Sequence, residues 1–148
     1  DDFFINSQDT LLNIAGTITG ALTLMLAAIA SISLLVGGIG IMNIMLVSVR
    51  ERTQEIGLRK AVGASQTDIL EQFLIEALIL AIVGGLIGTA SGIGGIFLLS
   101  ALTPFEAGIS GWAIVMAVGV SGGIGLFFGV FPARQAAKLD PIVALRTA

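Results

Sequence analysis

Residues 48–65 read SVRERTQEIGLRKAVGAS, and this charged stretch lies between long segments that carry no charge. It contains four of the seven Lys and Arg residues of the chain and two of the ten Asp and Glu residues. On both sides the sequence stays apolar for longer than a helix needs to cross a membrane. The charged stretch therefore separates membrane-spanning parts of the chain, and its position decides the fold.

The composition is that of a membrane protein. Of 148 residues, 55% are hydrophobic and 11% are charged, whereas a soluble domain has about a quarter of its residues charged. Three charge-free runs each exceed the ~20 apolar residues that cross a hydrocarbon core about 30 Å thick. The first run is longer than one crossing requires, so its helix is expected to tilt or to extend beyond the bilayer. We predict an all-α, polytopic membrane protein with three transmembrane helices near 21–47, 77–100 and 112–131.

The basic residues predict the orientation. All seven lie in segments 48–68 and 132–148, and none lies in residues 1–20 or 101–111. Loops rich in Lys and Arg stay in the cytoplasm, so the N-terminus is expected outside and the tail 132–148 inside. The sequence begins DDFFINSQDT, without Met or a basic leader, so an outside start requires a preceding segment. We expect this to be the C-terminal part of a longer chain, with another span and an extracytoplasmic domain upstream.

The residue types present exclude most catalytic sites. Cysteine and histidine are both absent, which removes thiol nucleophiles, imidazole bases and the usual zinc ligands. The glycine-rich stretches GGIGIMN (37–43), GIGGIF (92–97) and GGIGLF (122–127) complete neither G-x-G-x-x-G nor G-x-x-x-x-G-K-[ST]. The spans also lack paired carboxylates. We therefore expect no enzyme activity, metal, bound cofactor or nucleic-acid partner for this segment.

Small residues repeat every four positions inside two of the predicted spans. Such spacing lets membrane helices approach closely, either within one subunit or between two copies, and the sequence does not separate these alternatives. Glu76, at the start of the second span, is expected to snorkel or to cap a helix. The candidate helix-packing residues are Gly84, Gly88 and Gly92 in the second span and Gly125 and Gly129 in the third.

The charged stretch is predicted to form a helix of its own between Val49 and Val62. Glu55 and Arg59 have the i, i+4 spacing and order that stabilise a helix. Gly63 suits the position just after a helix end, and Ser65 with Asp68 forms a capping box for the next helix. The prediction is a short cytoplasmic helix, a tight break, and a helix that enters the second span.

Gly57 in the middle of this helix costs about 1 kcal/mol relative to alanine, which a close contact would justify. The sequence alone allows two roles: docking to a cytoplasmic protein, or a loop that only sets topology. The tail also has the signals of a short helix, because Asp140 is a candidate N-cap with Pro141 at the first helical position. It is predicted to form a short interfacial or docking helix.

Two strings resemble a known family. LLVGGIGIMNIMLVSVRERTQEIGLRKAVGAS (34–65) and FPARQAAKLDPIVALR (131–146) are similar to the membrane part of MacB-type ABC transporters, within the FtsX-like permease superfamily. The resemblance implies four spans in the whole protein, of which these are the last three, following a large extracytoplasmic domain. It implies a bacterial inner-membrane location and a second permease copy. It also implies an ABC ATPase, fused or separate, that binds ATP and Mg²⁺, and a MacA-like adaptor.

The resemblance further implies that 50–65 is a coupling segment that docks on the ATPase. ATP-driven movement would be transmitted outward for efflux of antibiotics or peptides. Lipoprotein release, antimicrobial-peptide resistance and a non-ABC scaffold are the alternatives. We hypothesise a lever, in which the break at 63–65 passes the movement to the second span. The residues that match the coupling helix are Arg52, Glu55, Ile56, Gly57, Arg59, Lys60, Gly63 and Ala64.

Overall fold

A computed structural model of the chain describes residues 1–146 and contains helices and no strands over that range. Three of the helices are long and apolar enough to cross a membrane. The predicted all-α class with three candidate spans is confirmed, whereas the orientation stays a prediction. The helices are α1 (Asp2–Glu51), α2 (Thr53–Ala61), α3 (Gln66–Leu102), α4 (Gly111–Ala137) and α5 (Pro141–Arg146).

Helix α1 has 50 residues, which at 1.5 Å per residue is about 75 Å. This is more than twice the thickness of a hydrocarbon core, as the long first run predicted. Hydroxyl groups along α1 donate to the backbone carbonyl four residues earlier: Thr17 Oγ1 to Asn13 at 2.9 Å and Ser31 Oγ to Ala27 at 2.8 Å. These polar side chains are thus satisfied within their own helix, as a lipid environment requires.

The chain divides into two compact units, residues 1–36 and the residues from Gly37 onward. In the first unit, apolar side chains are largely exposed; Leu24, for example, is 73% exposed. Every buried residue of the described chain lies in the second unit. Exposed leucines and isoleucines along a charge-free helix are expected where lipid is the solvent.

Helices α3 and α4 form the main packed pair. Gly125 and Gly129 of α4 lie against Ala77 and Ala81 of α3, and all four are buried. Ser121 Oγ donates to the Ala81 carbonyl at 2.6 Å across the same contact. Small residues let the two backbones approach, and the hydroxyl adds an interhelical hydrogen bond.

Two helix boundaries differ from the prediction. The helix expected over 49–62 is split, because α1 continues through Glu51 and α2 begins after Arg52, whose φ is −100° and ψ is 14°. The Thr53 hydroxyl donates to the carbonyls of Val49 and Arg50 at 2.9 and 2.8 Å, which supports the turn. In the tail, α4 continues through buried Pro132 to Ala137, and membrane helices tolerate a proline at such a position.

Candidate functional site

The polar part of the second unit is here called the basic end: residues 48–76 and 132–146, which contain all seven Lys and Arg residues. A small core joins the ends of α1, α3 and α4 to helix α2. Ile56 is the contribution of α2 and is 2% exposed. The predicted charged helix is therefore packed onto the bundle. The buried core residues are Met45, Val49, Ile56, Ile69, Phe73, Ala77, Ala133 and Ala136.

The close contact expected at Gly57 is made within the chain. A Cβ atom added to Gly57 would lie 2.7 Å from Cβ of Ala144 and 3.4 Å from the Pro141 carbonyl oxygen. Helix α5 therefore rests directly on α2, and a side chain at position 57 would push it away. A partner protein was one candidate for this close contact, and α5 of the same chain makes it.

Arg52 fastens the start of α2 to α3. Its Nη1 donates to Glu76 Oε1 at 2.8 Å, and its Nε lies 3.4 Å from Glu55 Oε2. The guanidinium carbon lies 5.5 Å from the centre of the Phe73 ring, which places the cation over an aromatic face. The hydrogen bond to Glu76, and then that to Glu55, raises the pKa of Arg52 above its usual value. Glu76 is thus an ion-pair partner, a role the sequence did not indicate.

We expect Arg52→Met to lower the free energy of unfolding of the solubilised protein by about 1 kcal/mol, because Glu76 loses a half-buried, charge-assisted hydrogen bond. Glu76→Gln introduced into the Arg52→Met variant should then lower the free energy of unfolding only slightly further. Denaturant titration of the four proteins of this cycle measures the coupling. Strictly additive effects would show that the ion pair does not stabilise the fold.

Lys60 fastens the other end of α2 to α4. Its Nζ donates to the Leu139 carbonyl oxygen at 2.7 Å and also to the carbonyl oxygen of Ala137, the last residue of α4. A cation at a helix C-terminus satisfies free carbonyls and matches the helix dipole. Burial lowers the pKa of Lys60, and attraction to Asp140 opposes that shift. The contact joins residues 79 positions apart.

The outward face of α2 carries exposed charged and apolar side chains. Leu58 is 57% exposed and Val62, just after the helix, is 81% exposed. Arg59 Nη2 lies 2.6 Å from Glu55 Oε1, and its Nη1 also donates to Gln72 of α3. An apolar centre with an ordered ion pair beside it is typical of a protein-binding surface.

The break after α2 has the predicted local structure. Gly63 has a φ of +115°, and the amides of Gly63 and Ala64 donate to the carbonyls of Lys60 and Arg59 at 3.1 and 3.0 Å, which is a Schellman motif. Ser65 Oγ accepts from the Asp68 amide at 3.2 Å, and Asp68 Oδ2 accepts from the Ser65 amide at 2.9 Å. The capping box is confirmed, and it makes the connection between α2 and α3 short and ordered.

The tail helix has the predicted cap. Asp140 Oδ1 accepts from the Ile142 amide at 2.9 Å, with Pro141 at the first helical position. This cap fixes where α5 begins and so places Ala144 against Gly57. Within the described residues, no group of three or more Asp or Glu side chains could hold a metal ion.

The glycine stripes separate into two groups. Gly125 and Gly129 lie against α3, whereas nothing in the described chain lies within 4 Å of a Cβ added at Gly84, Gly88 or Gly92. On α3, the glycine that meets α4 is Gly85, which lies beside Ser121. A packing role for the Gly84 stripe stays a prediction.

The sequence was compared with known proteins. The FtsX-like permease C-terminal family matches residues 27–141. Proteins named "Macrolide export ATP-binding/permease protein MacB" are 49% identical over 146 residues in Neisseria meningitidis, 52% over 145 in Agrobacterium fabrum and 54% over 146 in Hahella chejuensis. These matches cover 97–98% of the chain and 22–23% of the relatives. The chain thus spans about a quarter of the length of these relatives.

Proposed function

The chain belongs to the FtsX-like permease family, and from this premise we propose that it is the membrane module of a MacB-like ABC exporter. Two observations support the proposal: the identity of about half to relatives named for macrolide export, and a short ordered helix held between the spans at the basic end. In this function the segment catalyses no reaction. It converts movement of an ATP-hydrolysing part into movement of the spans.

We place the basic end in the cytoplasm of a bacterium and the three spans in its inner membrane. This follows the positive-inside rule and the three long apolar helices. ATP and Mg²⁺ would be bound by the ATP-binding part that the names of the relatives include, which we place outside this segment. The whole exporter would contain a second permease copy, with a MacA-like adaptor on the outer side.

The site that carries the proposal is the outward face of α2. Leu58 and Val62 are its exposed apolar residues, and Glu55 and Arg59 form the ion pair beside them. We place this end of the protein in water, where Leu58 and Val62, one helical turn apart, form an exposed apolar patch that a protein partner would cover. Docking of the ATP-binding part would bury Leu58 and leave Ile56 in the core.

The remaining predicted coupling residues hold α2 in place. Arg52 links it to α3 by an ion pair, and Lys60 links it to α4 by hydrogen bonds. Gly57 lets α5 pack closely against it. Gly63 and Ala64 form the ordered break. We propose that a push on α2 moves the ends of α3 and α4 together, because α2 is fastened to both. This extends the lever hypothesis, which routed the movement through the break alone.

The proposal is tested by Leu58→Asp in the full-length protein reconstituted into proteoliposomes. ATP-driven export of a macrolide should fall by at least about 10-fold, since a desolvated charge at the centre of an interface costs more than 1.4 kcal/mol. Leu58→Met is the matched control and should export normally. ATP binding by the variant should be unchanged. Normal export by Leu58→Asp would contradict docking at this face.

A further inference from the structure

Helix α5 also presents apolar side chains outward at the basic end. Ile142 is 67% exposed and Leu145 is 45% exposed. Both follow α4 and lie outside the candidate spans, on a helix that packs against α2. Side chains of this size exposed to water next to a docking surface indicate that the surface extends further.

A cleft adjoins this helix. It has a volume of about 660 Å³, which is large enough to admit a side chain of a partner protein. Apolar and polar side chains from α1, α2, α5 and the segment before α5 surround it. The lining residues are Arg50, Glu51, Thr53, Gln54, Leu139, Val143 and Ala144.

The walls of the cleft are held in position. Ala144, which lines it, packs against Gly57, and Leu139, on the same side, accepts a hydrogen bond from Lys60. On the other wall, the Thr53 hydroxyl donates hydrogen bonds to carbonyls in the last turn of α1. A cleft fixed by these contacts needs little rearrangement to receive a side chain, so binding would lose little conformational entropy.

The charges around the cleft favour a protein over a lipid surface. Arg50 and Glu51 line it with opposite charges, and α5 is capped by Asp140 and carries one cation, Arg146. A helix that lies on a membrane usually has a polar face rich in Lys and Arg, which this helix lacks. Mixed charge around an apolar centre is the pattern of a protein interface.

The ATP-binding part is the occupant that these observations favour. In the relatives, whose names include it, about three quarters of the polypeptide lies outside the region that this chain matches. The cleft also adjoins the start of α2, whose outward face is the docking face proposed above. Gln54 lines the cleft and lies one helical turn before Leu58, so a partner that covers Leu58 lies beside the cleft.

We propose that the α5 cleft receives an apolar side chain of the ATP-binding part, so that α2 and α5 together form the docking surface. This inference rests on the proposed function and adds a second, C-terminal half to the coupling site. Val143, which lines the cleft and is 56% exposed, would contact the inserted side chain, and the exposed Ile142 beside it in the sequence would extend the contact. The tail would then be a recognition element, and its loss would weaken docking even with α2 intact.

The test uses a photo-crosslinking amino acid at single positions of the full-length protein in native membranes, with products identified by mass spectrometry. Position 142 tests α5 and position 58 tests α2. Position 98, an exposed apolar site on α3 inside a candidate span, is the control. We expect the yield of crosslinks to the ATP-binding part from positions 142 and 58 to be at least about fivefold higher than the yield from position 98.

In a transport assay, Ile142→Asp should reduce export about 10-fold, and Ile142→Leu should not.

Each alternative result is informative. Crosslinks from 58 but not from 142 would overturn the role of α5 and leave the proposed function standing. Crosslinks from 142 to lipid would make α5 an interfacial helix and also overturn it. Crosslinks from neither position, in protein that is inserted and abundant, would contradict the proposed function together with this inference.

Discussion

Replacing Gly125 by valine is expected to lower the free energy of unfolding by about 3 kcal/mol, the upper part of the usual range for an overpacked core. A Cβ atom at position 125 would overlap Cβ of Ala81 and lie 3.0 Å from the Ala77 carbonyl oxygen. Neither group can move far, because one is backbone and the other is fixed on a packed helix. Helix α4 would have to shift away from α3, which would also lengthen the 2.6 Å hydrogen bond between Ser121 and Ala81.

Gly123→Val on the same helix is the matched control. Nothing in the described chain lies within 4 Å of a Cβ at that position, so its effect should stay within about 0.5 kcal/mol. Denaturation of the two variants in detergent micelles, with wild type alongside, measures the difference. Equal destabilisation by both would show that a valine in this helix is harmful by itself and that the α3–α4 contact does not require a glycine.

Replacing Lys60 by methionine is expected to reduce ATP-driven export at least 10-fold while leaving most of the protein folded and able to bind ATP. Methionine keeps an unbranched apolar stem but cannot donate to the carbonyls of Ala137 and Leu139. Leaving such carbonyls without a partner costs about 1–3 kcal/mol locally, enough to free the end of α2. Under the proposed mechanism, α2 would still be pushed but would no longer move α4.

Lys138→Met provides the comparison, because this exposed lysine lies one residue beyond Ala137 and carries the same charge. Export and ATP hydrolysis measured together in proteoliposomes separate the outcomes. The account expects Lys60→Met to hydrolyse ATP with little export and Lys138→Met to behave as wild type. If both variants lost export equally, the loss would follow from removing a positive charge at this end. Unchanged export by Lys60→Met would remove the link to α4 from the mechanism.

Local features of the fold could be predicted from the sequence because their partners are close in the chain. The capping box at Ser65 and Asp68, the left-handed Gly63 and the cap at Asp140 each join residues no more than five positions apart. The three long helices could be predicted because charge is excluded from a bilayer core over a fixed length. These signals do not depend on how the helices are arranged.

Contacts between distant residues could not be predicted. Arg52 and Glu76 are 24 positions apart, and Lys60 and Leu139 are 79 apart, so nothing in local spacing indicates that they meet. The same limit applies to Gly57, whose partner lies on α5. In the sequence, charged residues that form ion pairs in the folded protein cannot be distinguished from unpaired charged residues of a loop.

A four-residue repeat of small residues indicates that a helix can pack closely, but it does not indicate which stripe of the helix makes the contact. On α3, Ala77, Ala81 and Gly85 meet α4 with a four-residue repeat, and the Gly84 stripe has the same repeat one residue out of phase. On α2, Ile56 faces the core and Leu58 faces outward, although both are aliphatic. A helix of nine residues does not contain enough apolar positions to indicate which side is buried.

The central claim is that the inner face of α2 is held by this chain and its outer face by the ATP-binding part. Photo-crosslinking from positions 56 and 58, compared side by side in the full-length protein, tests it most directly. We expect position 58 to crosslink to the ATP-binding part and position 56 to crosslink only within the permease segment. Crosslinks from position 56 to the ATP-binding part, or none from position 58, would contradict the account.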